Sequence, residues 1–252
     1  TDSSVYSGGE LTNLLTGYDS SFMSVNVGSL RAAQTQDGLE LYASEAGEYS
    51  ITVTITDPNY AWKDGSAEYT LTWKITALAE NTVIVTVGEG MVYGGTLDGQ
   101  VSAAAGEAVL TYYADENDSM GAALEGVPTD AGTYWVIASV AATENYAGGQ
   151  SVPVQFTISP VTVAAPSLTG DDATYSGAVQ TNGISGLDLT LMEVSSEAQI
   201  VLSGASFLLE ATQAGAYTVT FTLNDDVNYV FETGGGTLTL TWTIAPQTVA
   251  KP

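Results

Sequence analysis

The stretch Ala46-Gly47-Glu48-Tyr49-Ser50-Ile51-Thr52-Val53-Thr54-Ile55-Thr56 opens as a turn and continues as a strand. Tyr49, Ile51, Val53 and Ile55 alternate with Ser50, Thr52, Thr54 and Thr56, a pattern that buries one face and solvates the other. Ala214-Gly215-Ala216-Tyr217 begins the same way, and Val219, Phe221 and Leu223 then alternate with threonines. Ala131-Gly132-Thr133-Tyr134 is a third such turn. Further along, Leu71, Trp73 and Ile75 share one parity, as do Leu238, Leu240, Trp242 and Ile244, which places Trp73 and Trp242 in a core.

Two other landmarks keep step with this turn. Tyr-x-Gly precedes it at Tyr6, Tyr93 and Tyr175, and Asn-Tyr follows it at Asn59, Asn145 and Asn228. The Asn-Tyr pairs stand 86 and then 83 residues apart, and copies one and three align at one offset of 169. Each Asn-Tyr lies between two alternating strands and reads as a hairpin connection. Helical spacing is hard to find anywhere. Short strands, frequent turn residues and a period of about 84 residues indicate a β-sandwich in each copy.

The turn Asp130-Ala131-Gly132-Thr133-Tyr134 resembles the tyrosine corner of immunoglobulin-type folds, with Tyr49, Tyr134 and Tyr217 as the corner tyrosines. Ile51, Val136 and Val219 stand where that motif carries a cysteine, so packing replaces the inter-sheet disulfide. The full order of landmarks is similar to the bacterial Ig-like repeats of the MBG type, over nearly the whole chain and most closely in copy two. The resemblance implies an all-β fold of three tandem Ig-like antiparallel β-sandwich modules arranged end to end. The expected modules are 1–77, 78–159 and 160–246, with 247–252 starting a further one. Connections as short as these, with Pro160 and Pro246 inside them, predict a semi-rigid rod of ~100–130 Å at ~3.3 Å per strand residue.

Composition narrows the chemistry. Of 252 residues 44% are hydrophobic, enough to fill real cores. Against 29 acids stand only Lys63, Lys74, Lys251 and Arg31, a net charge of −25 that excludes nucleic acid as a direct partner and argues against anionic membranes. With no cysteine and no histidine, thiol catalysis, imidazole triads and ordinary zinc sites are excluded. The acids are spread over all three copies without a converging motif, so no catalytic residues are expected. No run of 18 apolar residues and no basic-then-apolar start occur, which reads as a soluble mature segment without membrane insertion.

Two candidate sites remain. Asp115-Glu116-Asn117-Asp118 is a dense oxygen cluster in a predicted loop, with Asp115 and Asp118 the best calcium ligands, although it lacks EF-hand spacing and turns favour the same residues. No other cofactor is expected. The second site is an aromatic stripe on copy two. Trp135 follows the inward Tyr134 and so points outward with Ile137, while Val109 and Tyr113 share the outward parity of a strand expected beside it. Such a face can stack on sugar rings, and the bland alternative is that a neighbouring loop covers it. Trp62 aligns with Phe231 and fills an apolar position.

The expected function is a non-catalytic extracellular structural or spacer array on a bacterial cell surface or in a secreted protein. The rival reading is an adhesive or carbohydrate-binding module, with a glycan or a host or bacterial surface protein held on the aromatic face. Copy one has only residues 1–5 ahead of Tyr6, so its opening strand reads as missing or cut short, leaving a bare sheet edge. Gln247-Thr248-Val249-Ala250-Lys251-Pro252 reads like Val161-Thr162-Val163-Ala164-Ala165-Pro166, the opening strand of copy three. A solution monomer with weak head-to-tail strand pairing is the expectation, with a fold-back of this tail on copy three as the lesser option.

Overall fold

A computed structural model describes residues 2–204 and 206–251. Among them every regular element is a β-strand, and no helix is long and apolar enough to cross a membrane. The chain divides into two compact units: residues 1–87, 99–113 and 135–154, and residues 88–98, 114–134 and 155–252. Copies one and three each fall within one unit, whereas the segment 78–159 contributes to both.

In the first unit a four-stranded sheet runs in the order Asp2–Val5, Glu68–Thr76, Gly47–Ile55, Met23–Asn26. A three-stranded sheet of Leu11–Thr16, Gly38–Ala43 and Arg31–Gln34 packs against it. Leu39 and Leu41 from one sheet meet Ile51, Trp73 and Ile75 from the other in one buried cluster. These are the residues of inward parity, so the alternation read from sequence sets the core directly. Ile84–Val87 pairs antiparallel with Gly99–Ser102 in the same unit.

The second unit repeats the plan. One sheet runs Ala173–Thr174, Thr237–Ala245, Gly215–Leu223, Met192–Ser196, and the other Ser167–Leu168, Gln180–Ser185, Ser206–Ala211, Gln199–Ser203. Trp242, Ile244, Val219, Phe221, Leu209 and Phe231 form its core. Trp62, the counterpart of Phe231, is half-buried and packs on Tyr69.

The sandwiches are not wholly antiparallel. Asp2–Val5 lies parallel to the terminal strand, with Ser4 opposite Ile75, and Ala173 lies opposite Ile244 in the same sense. Val92 bridges Ser159 in parallel in copy two. In all three copies the Tyr-x-Gly tyrosine donates its N–H to the terminal strand's carbonyl at 2.8 Å: Tyr6 to Thr76, Tyr93 to Ser159, Tyr175 to Ala245. A parallel pair needs a long crossover, and here a whole copy provides it. The terminal strand of copy one therefore has an edge strand, contrary to the bare edge expected from sequence. Val161–Val163 is a strand, but its partner is Tyr229–Phe231, also in parallel. Residues 246–251 form no strand and are exposed, so the fold-back on copy three is not what the chain does. Thr1 and Pro252, also part of the sequence expectations, lie outside the described residues.

Candidate functional site

The corner tyrosines behave as the turn sequence demands. Each hydroxyl donates to the carbonyl four residues upstream: Tyr49 to Glu45 at 2.8 Å, Tyr134 to Asp130 at 3.0 Å and Tyr217 to Gln213 at 2.7 Å. The rings lie against Trp73, Phe156 and Trp242, with centroids 6.0, 5.8 and 5.9 Å apart. Burial, followed by the charge of Asp130, raises the Tyr134 hydroxyl above its ordinary value. Tyr134→Phe removes one hydrogen bond and leaves the ring, so a loss of about 1 kcal/mol is expected in denaturant melts of the intact chain. An unchanged midpoint would show that the hydroxyl does not fix this corner.

All three recurring landmarks come together where one copy meets the next. In the first unit Ala46 N–H donates to Asn145 Oδ1 at 2.6 Å, and the Asn145 amide donates to the Glu45 carboxylate. Leu78 N–H donates to Asn145 O at 2.8 Å, and Tyr146 sits edge-on to Tyr6 at 5.6 Å and 78°. The second unit repeats this with other residues. Ala131 N–H donates to Asn228 Oδ1 at 2.7 Å, and Asn228 Nδ2 donates to Asp130 at 3.1 Å. Val161 N–H donates to Asn228 O at 2.8 Å, and Tyr229 meets Tyr93 edge-on at 5.7 Å and 72°. The asparagine is thus a clamp that satisfies a turn of the preceding copy, which the hairpin reading of Asn-Tyr did not show. One signal for it was in the sequence: a polar pair recurring in step with two turn motifs, with no alternation to explain it.

The aromatic stripe is partly realised. Ala108–Asp115 and Gly132–Val140 are hydrogen-bonded neighbours. Val136, Ala138 and Val140 are buried while Trp135 and Ile137 are half-buried, so the outward parity is right. Tyr113 is half-buried too, and only Val109 is fully open at 61%. The stripe is therefore more covered than a free platform. A separate concavity of about 340 Å³ opens between the two sheets of copy one beside Leu15, Tyr69 and Leu71, without a converging charged cluster.

Asp115 and Asp118 belong to a tight hairpin. Asn117 and Asp118 both have positive φ, 56° and 59°, and Glu116 N–H donates to Ser119 O at 2.8 Å, the arrangement of a type I′ turn. The Asp115 carboxylate accepts from Asp118 N–H at 3.2 Å and from Gln155 Nε2 at 3.0 Å. Its oxygens serve the turn. Among the described residues no group of three or more acidic side chains is placed to hold a metal ion.

Comparison with known proteins gives one family match, within copy one. Residues 10–77 match the MBG domain. The match falls on copy one, whereas the sequence landmarks looked closest in copy two. No curated protein matches the chain significantly. Among solved structures, extracellular domains 3–5 of Drosophila OTK are 10% identical, with 97% of this chain and 95% of that one covered and a TM-score of 0.27. The Bacteroides ovatus protein SGBP-B, solved with a mixed-linkage heptasaccharide, is 14% identical over 97% and 65%, with a TM-score of 0.19. Drosophila N-cadherin EC1–4 is 9% identical over 96% and 68%, at 0.21. Scores so low carry no functional argument; the all-β sandwich plan rests on the strand order itself.

Proposed function

We propose that the chain is a non-catalytic, extracellular array of three MBG-like modules, about 1–77, 78–159 and 160–246, that spaces or presents another part of a bacterial surface or secreted protein. The observation that supports this most is the repeated joint: the same side chains tie copy one to copy two and copy two to copy three. An enzyme or a ligand carrier has no need to build its joints alike, whereas a spacer gains from every joint being the same. Small-angle scattering tests it. A compact chain of this length has a radius of gyration of ~18 Å, and a value near that would overturn the spacer reading.

The half-exposed Trp135, on the strand that neighbours the one carrying open Val109, favours a second reading in which copy two binds a glycan or a partner protein. Binding on a polysaccharide array that Trp135→Ala removes, with melting unchanged, would establish it. No binding by the parent chain leaves the spacer.

We also propose that the array holds without calcium, since the Asp115 oxygens are engaged by backbone and Gln155. Millimolar calcium is expected to shift the melting temperature no more than magnesium at equal ionic strength, both relieving the repulsion of a −25 chain. A calcium-specific rise, reversed by chelator, would contradict this.

A further inference from the structure

In every copy the opening segment and the terminal strand lie side by side and run in the same direction, but the contact differs in length. Copy one pairs four residues, Asp2 to Val5 against Trp73 to Thr76. Side chains brace it: Trp73 Nε1 donates to Ser4 Oγ at 3.1 Å, and Thr76 Oγ1 donates to Ser4 O at 3.2 Å. Copy three pairs Ala173 and Thr174 with Ile244 and Ala245, and Thr243 N–H donates to the Asp172 carboxylate at 2.7 Å. Copy two has one such bridge among the described residues, Val92 to Ser159. Tyr93 N–H donates to Ser159 O, and Ser159 N–H to Met91 O, both at 2.8 Å.

Local sequence explains why that contact is short. Gly90 and Gly94 hold φ at 74° and 78° on either side of it, and a left-handed residue does not continue a strand. Pro160 has no N–H with which to extend the ladder past Ser159. Other attachments do not make up the difference. Ile84–Val87 and Gly99–Ser102 form a separate two-stranded sheet, so their pairing is not laddered to the terminal strand. Ahead of its latch copy three has Val161–Val163 laid in parallel along Tyr229–Phe231, whereas copy two has a single parallel bridge there, Leu78 to Tyr146.

Strand direction gives these lengths a mechanical meaning. Tension on a copy pulls its opening segment back toward the N-terminus and its terminal strand on toward the C-terminus. Between parallel strands those pulls slide one strand along the other, and every bond of the ladder carries load at once. An antiparallel pair pulled from one end would open bond by bond. A longer parallel ladder therefore puts a higher barrier in the way of forced unfolding.

We propose that the chain bears tension and that copy two is its yielding element, unravelling between Val92 and Ser159 while copies one and three stay folded. Yielding releases about 220 Å of chain, at ~3.3–3.6 Å per residue, before either longer latch gives way. The source of the load rests on the spacer reading; the order of yielding follows from the ladders alone, so scattering and stretching can fail separately.

Single-molecule stretching of the 252-residue chain, held by its two ends, tests it. Three steps of unequal force are expected. The chain has no cysteine, so one engineered disulfide is unambiguous. Val92→Cys with Ser159→Cys places it across the copy-two bridge, at two exposed positions already close enough to be joined. Oxidised, this variant is expected to lose the lowest-force step with its ~220 Å gain, and to recover both when a thiol is added. Ser3→Cys with Lys74→Cys, also exposed and in register, locks copy one; there the lowest step stays and a higher one is lost. A lowest step that survives oxidation of the Val92–Ser159 pair overturns the proposal. So do three steps of equal force, extension without steps, or a Val92–Ser159 cysteine pair that does not close on oxidation.

Discussion

Trp242→Ala lowers the stability of the copy-three sandwich by about 3–5 kcal/mol. The indole is 1% exposed and lies among Ile244, Phe221 and Val219, with the Tyr217 ring 5.9 Å away. Truncation leaves a void larger than a water molecule in a layer closed by two sheets, and strands tied into a ladder cannot collapse to fill it. A small domain holds only ~5–15 kcal/mol in total, so a large share of copy three's margin disappears. The Trp242 N–H has no partner among the described residues, unlike that of Trp73, which donates to Ser4 Oγ at 3.1 Å. Trp242→Phe, which sheds that polar atom and keeps a ring, should therefore cost far less than Trp242→Ala. Guanidinium melts of both variants decide the matter. A loss under ~1 kcal/mol for the alanine form would show that the ring is not the core's filler.

Asn228→Ala is expected to cost about 2 kcal/mol, felt at the joint between copies two and three. The side chain accepts from Ala131 N–H and donates to Asp130 and Asp225, all part-buried, and truncation leaves the Ala131 donor without its acceptor. Asn228→Asp distinguishes the clamp from simple packing. It keeps an acceptor for Ala131 but turns the donor end into a charge facing two carboxylates, so it should be worse than alanine at neutral pH and recover in acid. Proteolysis of the Ser159-Pro160 connection gives a second readout, since a loosened joint exposes it. If aspartate and alanine behave alike at every pH, the donor bonds are immaterial. The pH dependence of the parent has a definite sign here. The Asn228 side chain, then its backbone N–H, hold the Asp225 carboxyl below its ordinary value. That contribution is present above the ordinary aspartate range and is lost as pH falls through the lowered value.

Whatever depends on strand parity was legible in the sequence. Trp73, Trp242, Ile51 and Val219 are buried because two-residue alternation puts them on the inner face, and no tertiary context overrides it. The tyrosine corners were legible because a turn and its hydrogen bond lie within five residues. The joint was not, because its bonds join residues 97 to 100 positions apart and strand periodicity says nothing at that range. Asp115 to Asp118 stood open between a calcium loop and an ordinary turn, because composition cannot tell an oxygen donated to a metal from one held by a turn. Positive φ at Asn117 and Asp118 places both in a tight hairpin turn. Trp135 had the right parity, yet parity does not say how far neighbouring segments cover a face.

The asymmetry of the joint bears on how such a chain can evolve. Each junction uses only residues of the two copies it connects, with the clamp always on the later one and the receiving turn on the earlier. A duplication or deletion of one whole copy therefore leaves every remaining junction with both halves in the right order. Length can change by single units without a compensating substitution anywhere, whereas an inversion or a break in mid-copy would leave a clamp facing a clamp. Selection on reach then acts on copy number alone, decoupled from selection on how each copy folds.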